Sequence, residues 1–391
     1  MPARVTGRYV EAAMGESRFR AFVPFPLPPQ PPLDLAREDL LARKERADQA
    51  LGRLDGITQM LPDPTLFLYQ YVRKEALLSS QIEGTQSSLA DLLLFELDEA
   101  PGVPVDDVQE VSDYVAALNH GLRRLREDDF PLSLRLLREM HALLLQGGRG
   151  ANKDPGQFRR TQVWVGGRTP ALATFVPPPP NELDQCLADL ERFLHADASV
   201  APPLVKAALA HVQFETIHHF ADGNGRLGRL LIALMLCREN VLREPSLYLS
   251  LFFKEHRPEY YARLDAVRTH GDWEGWLGFF LDGVAHTAQQ AVETAQRLLA
   301  LMAADRARIA GLGARAGNVS RVFEAFVRHV LLSAPQAAAG LDLSLPTVRA
   351  GIRALAELGI VSELTGKRRY RVFAYDAYLR ILAEGAQPIA R

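Results

Sequence analysis

Apolar residues recur at helical spacing along most of the chain. The clearest case is 106–128, where one face is apolar at intervals of three and four residues. That face consists of Val108, Val111, Val115, Leu118, Leu122 and Leu125. Further helices are predicted at 35–51, 66–82, 132–145, 182–195, 207–217, 230–237 and 287–309. The pattern therefore indicates a mainly α-helical fold.

Two segments interrupt this helical pattern. Residues 1–34 include six prolines between Pro24 and Pro32, which predicts an extended arm that lies across the body of the protein. Residues 161–165 and 173–176 flank a Gly-Gly turn and predict a β-hairpin with a long loop.

The pattern changes again after Gly313. Helices are predicted at 322–332, 334–339 and 344–358, and strands at 360–364 and 370–373. Ser344 is a favourable N-cap for the third helix. This order, three helices followed by a two-stranded wing, resembles a winged helix-turn-helix domain.

The C-terminal segment is also basic. Residues 313–391 have eleven Lys and Arg against six Asp and Glu, whereas the whole chain has a net charge of −2. Thr347 and Arg349 are placed to face a DNA groove, and the basic residues at the wing are placed to contact phosphates. Those wing residues are Lys367, Arg368, Arg369 and Arg371. DNA binding through 344–371 is one interpretation, and packing or homodimerisation is the other.

Length and composition limit the class of protein. A chain of 391 residues is typical of two or three domains, and 24% charged residues with 48% hydrophobic ones is typical of a globular protein. The two cysteines, Cys186 and Cys237, lie in apolar helical patterns, so a reducing, cytoplasmic setting is expected. No secretory signal is expected, and no run of eighteen apolar residues predicts a membrane span.

A Gly-rich turn joins the predicted helices 207–217 and 230–237. Its residues 218–229 are His-His-Phe-Ala-Asp-Gly-Asn-Gly-Arg-Leu-Gly-Arg. The glycines permit positive φ, which lets backbone N–H groups approach an anion at the start of the next helix. The two arginines lie on one helical face and suit phosphate oxygens. Asp222 offers a hard oxygen for Mg²⁺, and His218 can act as a base at neutral pH.

These residues resemble the signature of the Fic family, His-x-Phe-x-Asp/Glu-Gly-Asn-Gly-Arg-x-x-Arg, at every fixed position. Many members have Pro after the His, where this chain has His219. The resemblance implies a protein adenylyltransferase that transfers AMP from ATP to a Ser, Thr or Tyr hydroxyl of a target protein. It implies that His218 is the catalytic base and Asp222 the ligand of Mg²⁺ or Mn²⁺. It places the nucleotide phosphates against Gly223, Asn224, Gly225, Arg226 and Arg229.

A second resemblance lies at the end of the predicted helix 66–82. Residues 79–84, Ser-Ser-Gln-Ile-Glu-Gly, resemble the inhibitory motif of the same family, Ser/Thr-x-x-x-Glu-Gly/Asn. A carboxylate at a helix C-terminus opposes the helix dipole, so Glu83 is expected to meet a cation elsewhere in the fold. The resemblance implies that Ser79, Glu83 and Gly84 form an inhibitory motif in which Glu83 pairs with Arg229 and blocks productive ATP binding.

The resemblance also implies an architecture. It is a helical Fic domain at 131–285 with the hairpin 161–176 as a flap that docks the target protein by its strand edge. Residues 1–130 form the N-terminal arm and helical region, 286–312 a connector helix and 313–391 the winged helix-turn-helix domain. Tyr260 matches a position near the adenine in related proteins.

Three alternatives stay open at this point. The Glu of the inhibitory motif, here Glu83, can serve hydrolysis in some relatives, so the reaction could remove AMP from modified targets. A nucleotide-sensing DNA-binding regulator would use the C-terminal segment without covalent chemistry. A zinc site is also conceivable, because His211, Glu215 and His218 share one helical face. Zinc would leave Arg226 and Arg229 without a role.

Overall fold

The computed structural model describes residues 4–15, 17–60, 64–97, 103–197, 199–367 and 371–388. The helices are α1 Glu38–Met60, α2 Pro64–Ile82, α3 Leu89–Glu96, α4 Val105–Arg126, α5 Leu134–Leu144, α6 Pro180–His195, α7 Pro203–Ile217, α8 Asn224–Arg238, α9 Ser250–Glu255, α10 Arg257–His270, α11 Trp273–Ala310, α12 Ala316–His329, α13 Ala334–Leu341, α14 Leu345–Glu357 and α15 Asp376–Ala383. The strands are β1 Gly7–Met14, β2 Ser17–Pro24, β3 Leu331–Ser333, β4 Ser362–Glu363 and β5 Val372–Ala374. The predicted mainly α-helical fold is confirmed. None of the described helices combines the length and the apolar character that a membrane span needs.

The predicted arm at 1–34 is wrong in part, because β1 and β2 form an antiparallel hairpin there. The register pairs Gly7 with Pro24 and Met14 with Ser17. Burial alternates from Arg18 to Ala21, with Phe19 and Ala21 buried and the two arginines exposed, which is the period of a half-buried strand. Phe22 and Val23 are both buried. The prolines that follow β2 suggested irregular structure, but they begin only where the strand ends.

Four of the described helices lie outside the predicted ranges: α3, α9, α10 and α15. Ser88 and Asp91 cap the start of α3. The Ser88 hydroxyl accepts from the Asp91 N–H, and the Asp91 carboxylate accepts from the Ser88 N–H. This reciprocal capping box stabilises the first turn of a helix. α1 and α11 also exceed their predicted lengths, and α11 runs unbroken through the predicted domain boundary at residue 285.

The Gly-rich turn lies between two largely buried helices. α7 and α8 pack on each other, and nearly all their residues are buried. Helices that are apolar all round belong in the middle of a fold. α4, α5 and α11 pack around them, and the Trp276 indole donates to the Ala208 carbonyl at 2.9 Å. The turn is therefore anchored at both ends by the core.

The predicted hairpin at 161–176 is almost without strand structure. Its two sides meet at a single antiparallel bridge between Val165 and Phe175, and a short 3₁₀ turn covers Pro170–Leu172. Gly166 and Gly167 both have positive φ, at 70° and 72°. Prolines at 170 and 177 lack the N–H that a longer ladder needs. The segment is a looped flap that keeps one bridge.

The C-terminal part has the predicted helix order with one added strand. α12, α13 and α14 pack on one another, and β3, β5 and β4 form a three-stranded antiparallel sheet in that order. The Tyr375 hydroxyl donates to Asp305 on α11 at 2.6 Å. Winged helix-turn-helix stays a prediction for this part, and Arg368 and Arg369 lie outside the described residues.

Candidate active site

The turn changes chain direction through two left-handed residues. α7 ends at His218, with φ 49° and ψ 56°, and α8 begins after Gly223, with φ 76°. The Asn224 side chain closes the turn, since its Oδ1 accepts from the Phe220 N–H at 3.0 Å and its Nδ2 donates to the Phe220 carbonyl at 2.9 Å. The free N–H groups at the start of α8 are thereby presented at the concave side of the turn.

A histidine from a distant helix supports the turn from behind. His141 of α5 donates from Nε2 to the Asp222 carbonyl at 3.0 Å and accepts at Nδ1 from the Gly156 N–H at 2.8 Å. Its ring stacks on Phe220 with centroids 3.6 Å apart. Burial lowers the pKa of His141 to about 4, so the neutral ring keeps both bonds at pH 7. Sequence reasoning missed this residue, because it has no motif around it.

His218 is the histidine that faces the cavity. Its Nδ1 donates to the Glu215 carbonyl at 3.4 Å. The backbone carbonyl of His218 accepts from Arg159 Nε at 2.8 Å. These contacts leave Nε2 as the acceptor. Burial lowers the pKa of His218 to about 4. His219 is fully buried, and its ring packs on Phe214.

A cavity of about 250 Å³ opens at the concave side of the turn. It brings together most of the predicted site, and its lining residues are Glu83, Glu110, Arg149, His218, Ala221, Asp222, Gly223, Asn224, Gly225 and Arg226. Glu110 and Arg149 were not predicted from the sequence. Four chain segments that are far apart in sequence therefore meet at one site.

Glu83 forms the predicted pair with Arg229. The guanidinium NH2 group lies 2.6 Å from Glu83 Oε1 and 3.0 Å from the Ser79 carbonyl, and Nε donates to Ser79 Oγ at 2.9 Å. Burial raises the pKa of Glu83, but the charge and hydrogen bond of Arg229 outweigh it, so the net pKa is below the ordinary value. Gly84 follows with φ 101° and ends the segment.

Gly225 leaves room for this pair. A Cβ atom at Gly225 would lie 2.4 Å from Glu83 Oε1 and 3.1 Å from the Arg229 NH1 group. Side chains do not tolerate such a distance, so any larger residue would displace the Glu83 carboxylate. The glycine therefore serves close packing here, and its φ is not positive.

Arg226 makes a different ion pair. It donates from NH1 to Glu110 Oε2 on α4 at 3.1 Å, and Glu110 also pairs with Arg149 at 2.5 Å. The side chains of Arg226 and Glu110 are 4% and 2% exposed. A single acidic residue in an amphipathic helix gives no sequence signal for such a role, which explains why it was missed.

Two sequence-based assignments are corrected here. Tyr260 does not offer a surface to adenine, because it is 1% exposed and its hydroxyl donates to His211 Nε2 at 2.8 Å. Tyr261 is the exposed member of the pair, at 42%. His211 also uses Nδ1, which donates to the Gly228 carbonyl at 2.9 Å. With both ring nitrogens engaged, His211 is not free to bind zinc.

Asp222 fits a divalent cation that phosphates help to bind. Its side chain is 44% exposed and lines the cavity, and its Oδ1 accepts a hydrogen bond from the Gly223 N–H at 2.6 Å. No cluster of three or more His, Cys, Asp or Glu suited to a metal occurs in the described part of the chain. Mg²⁺ commonly takes one carboxylate together with substrate phosphates and water.

Comparison with known proteins agrees with this geometry. The Fic/DOC family N-terminal model matches residues 41–123, and the Fic/DOC family model matches residues 131–236. Protein adenylyltransferase Fic from Culex quinquefasciatus is 33% identical over 210 residues, which are 53% of this chain and 39% of that protein. Its counterpart from Aedes aegypti is 31% identical over 254 residues, covering 63% of this chain and 46% of that protein.

The chain thus spans less than half the length of these curated relatives. A Fic family protein from Desulfovibrio desulfuricans G20 shares the fold, with a TM-score of 0.59 over 88% of this chain and 98% of that one, at 20% identity. Residues 41–123 and 131–236 are thus a Fic/DOC family N-terminal region and a Fic/DOC family domain.

Proposed function

We propose that the chain is a protein adenylyltransferase, which transfers AMP from ATP to a Ser, Thr or Tyr hydroxyl of a target protein. The observation that carries the proposal is the cavity in which His218, Asp222 and the start of α8 converge. The curated relatives named protein adenylyltransferase Fic support the same reaction. Together, a base, a carboxylate and a helix N-terminus suit the transfer of a phosphate-containing group such as AMP.

His218 would accept the proton of the target hydroxyl at Nε2. The hydroxyl oxygen attacks the α-phosphorus of ATP, a new oxygen–phosphorus bond forms, and the bond to the departing pyrophosphate breaks. A base with a pKa of about 4 is neutral at pH 7, and the negative charge of bound ATP would raise that pKa toward the working range. Positioned bases contribute about 10²–10⁴-fold to the rate.

The phosphates would bind at the start of α8. The N–H groups of Gly223, Asn224 and Gly225 and the helix dipole stabilise negative charge. Arg226 lines the cavity beside them. Asp222 would hold Mg²⁺ together with the phosphates, and the ion, when bound, supplies neutralising positive charge.

Glu83 would keep this enzyme slow. Arg229 is the guanidinium left to bind the terminal phosphates, and it is occupied by Glu83 and Ser79. Arg229 is only 3% exposed, so it cannot bind Glu83 and the terminal phosphates at the same time. ATP would then bind in a non-productive pose, and displacement of Glu83 would activate transfer.

Labelling with ATP tests the proposal. Glu83→Gly should raise incorporation of label from the α-phosphate into protein, including the enzyme itself, whereas label from the γ-phosphate should not be incorporated. Adding His218→Ala to that variant should abolish the labelling. His270→Ala, at an exposed histidine, is the matched control and should have no effect. Labelling that survives His218→Ala would rule His218 out as the base.

DNA binding by 344–371 is a second candidate function, favoured by one observation. Arg349 and Arg353 are exposed on α14. Arg349→Ala with Arg353→Ala should weaken binding of a duplex oligonucleotide and reduce its salt slope by about two. Arg53→Ala with Arg192→Ala, at two exposed arginines outside α14, is the control. Equal binding by both double variants would reject DNA contacts at α14.

A further inference from the structure

A second cavity, of about 430 Å³, lies between β2 and the flap. We call it the flap groove. Arg18, Phe19 and Arg20 of β2 line one side, residues 173–176 of the flap line the other, and Arg268 of α10 is also part of the lining. None of these residues belongs to the nucleotide cavity described above.

The flap groove is positively charged. Arg18 and Arg20 are exposed, and the nearest carboxylate to Arg20 is Glu11, at 3.9 Å and itself exposed. Arg268 lies 4.0 Å above the Phe175 ring, and its Nε is buried with no hydrogen-bond partner among the residues that the structure describes. Among the described lining residues Asp265 is the one carboxylate, and it pairs with Arg268. The groove therefore carries an excess of positive charge over negative.

The backbone of β2 also has a free edge at this groove. The Phe22 N–H donates to the Val176 carbonyl at 2.9 Å and so points away from β1. Backbone direction alternates with a period of two, so the N–H and C=O groups of Arg18 and Arg20 face the same way. No backbone partner is found for them among the described residues. An unpaired strand edge is a template for an added extended segment.

The groove is linked to the catalytic centre through the flap. Phe175, which lines it, forms the one bridge with Val165. Three residues further on, the Pro178 carbonyl accepts from Arg159, and Arg159 also donates to the His218 carbonyl. A segment bound in the groove would thus lie beside the part of the flap that positions the base.

We propose that the flap groove binds an extended acidic segment of the target protein, close in its sequence to the hydroxyl that receives AMP. This inference rests on the proposed adenylyl transfer for its biological meaning, but the binding itself needs no ATP. Carboxylates of the segment would pair with Arg18 and Arg20 while its backbone pairs with β2. Complementary charge of this kind gives selectivity and a strong salt dependence.

Binding of a model acidic chain tests this directly. The probe is a fluorescent random copolymer of Glu and Tyr, measured by anisotropy with the full chain and without nucleotide. Arg18→Glu with Arg20→Glu should bind it about tenfold more weakly than wild type. The matched control is Arg53→Glu with Arg315→Glu, which changes charge equally at two exposed residues outside the groove and should bind normally. A copolymer of Lys and Tyr should not bind.

Equal affinity of the wild type and the Arg18/Arg20 variant, or equal binding of the Lys copolymer, would overturn the proposal. The neutral variant Arg18→Gln with Arg20→Gln should show an intermediate loss, and circular dichroism checks that each variant is folded. Self-labelling of Glu83→Gly with ATP is scored separately. If self-labelling fails while the copolymer binds as expected, the proposed transfer reaction is wrong and the proposed binding at the flap groove is kept. If self-labelling occurs but the copolymer result fails, only the proposal for the flap groove is wrong.

Discussion

The two arginines of α8 make ion pairs that look alike but differ in their surroundings. Arg226 and Arg229 are both 3% exposed, and each meets a carboxylate from another part of the chain. Glu110, the partner of Arg226, lies inside α4 with its side chain 2% exposed. Glu83, the partner of Arg229, lies just beyond α2 with its side chain 35% exposed.

This difference indicates which pair can open. If Glu110 moved away, two charged groups would be stranded in the core, which is costly. Glu83 can return to water when it leaves, and Arg229 then needs only another anion, such as a phosphate. The pair at Arg226 is therefore structural, and the pair at Arg229 is suited to regulation.

Matched Glu→Gln variants should show the largest difference between the two ion pairs, in the free energy of unfolding. Glu110→Gln should lower the free energy of unfolding by about 3 kcal/mol, because a buried guanidinium loses its counter-charge. Glu83→Gln should lower it by about 1 kcal/mol, since solvent screens the exposed partner. Urea denaturation measures both values.

Labelling of the same two variants should change in opposite directions. Glu83→Gln should raise AMP incorporation, whereas Glu110→Gln should lower it, because the cavity wall is disturbed. Equal losses of stability, or a rise in labelling for both, would show that the two pairs do not differ as we propose.

Ser79→Ala should have a smaller effect on the same pair. The buried Ser79 hydroxyl accepts from Arg229 Nε, and a hydrogen bond to a charged group is worth about 1.5 kcal/mol. Labelling should rise, though less than in Glu83→Gln. Ser80→Ala is a close control, because the Ser80 hydroxyl is buried on the same helix but has no partner. If both serines gave the same rise, the bond to Arg229 would not matter.

The smallest effect is expected from pH. The pKa of Glu83 lies below its ordinary value of 4.5, so its share of stability is present above about pH 4.5 and is lost as the pH falls through the lower, folded pKa. The ratio of labelling by Glu83→Gln to labelling by wild type should therefore stay constant between about pH 6 and pH 8. A ratio that approaches one at pH 6 would show that Glu83 takes up a proton there.

Local sequence patterns correctly predicted the elements whose structure depends on residues close together in the chain. The apolar spacing of 106–128 matches α4 within two residues at each end, because periodicity and burial agree there. The candidate site residues of the turn are contiguous at 218–229, so the sequence alone was enough to identify them as a group. The β1–β2 hairpin was missed because the prolines after Pro24 outweighed the alternation within β2. The flap was predicted as strands because the cost of its prolines to a ladder was overlooked.

The sequence by itself determined the helical character of the chain, the Gly-rich turn between two helices and the position of the carboxylate that pairs with Arg229. Only the tertiary structure decided that Glu110 and Arg149 complete the cavity, that His141 supports the turn and that Tyr260 is part of the core. The reason is physical. Spacing along a chain specifies which residues share a face, but packing specifies which distant face they meet and whether water reaches them.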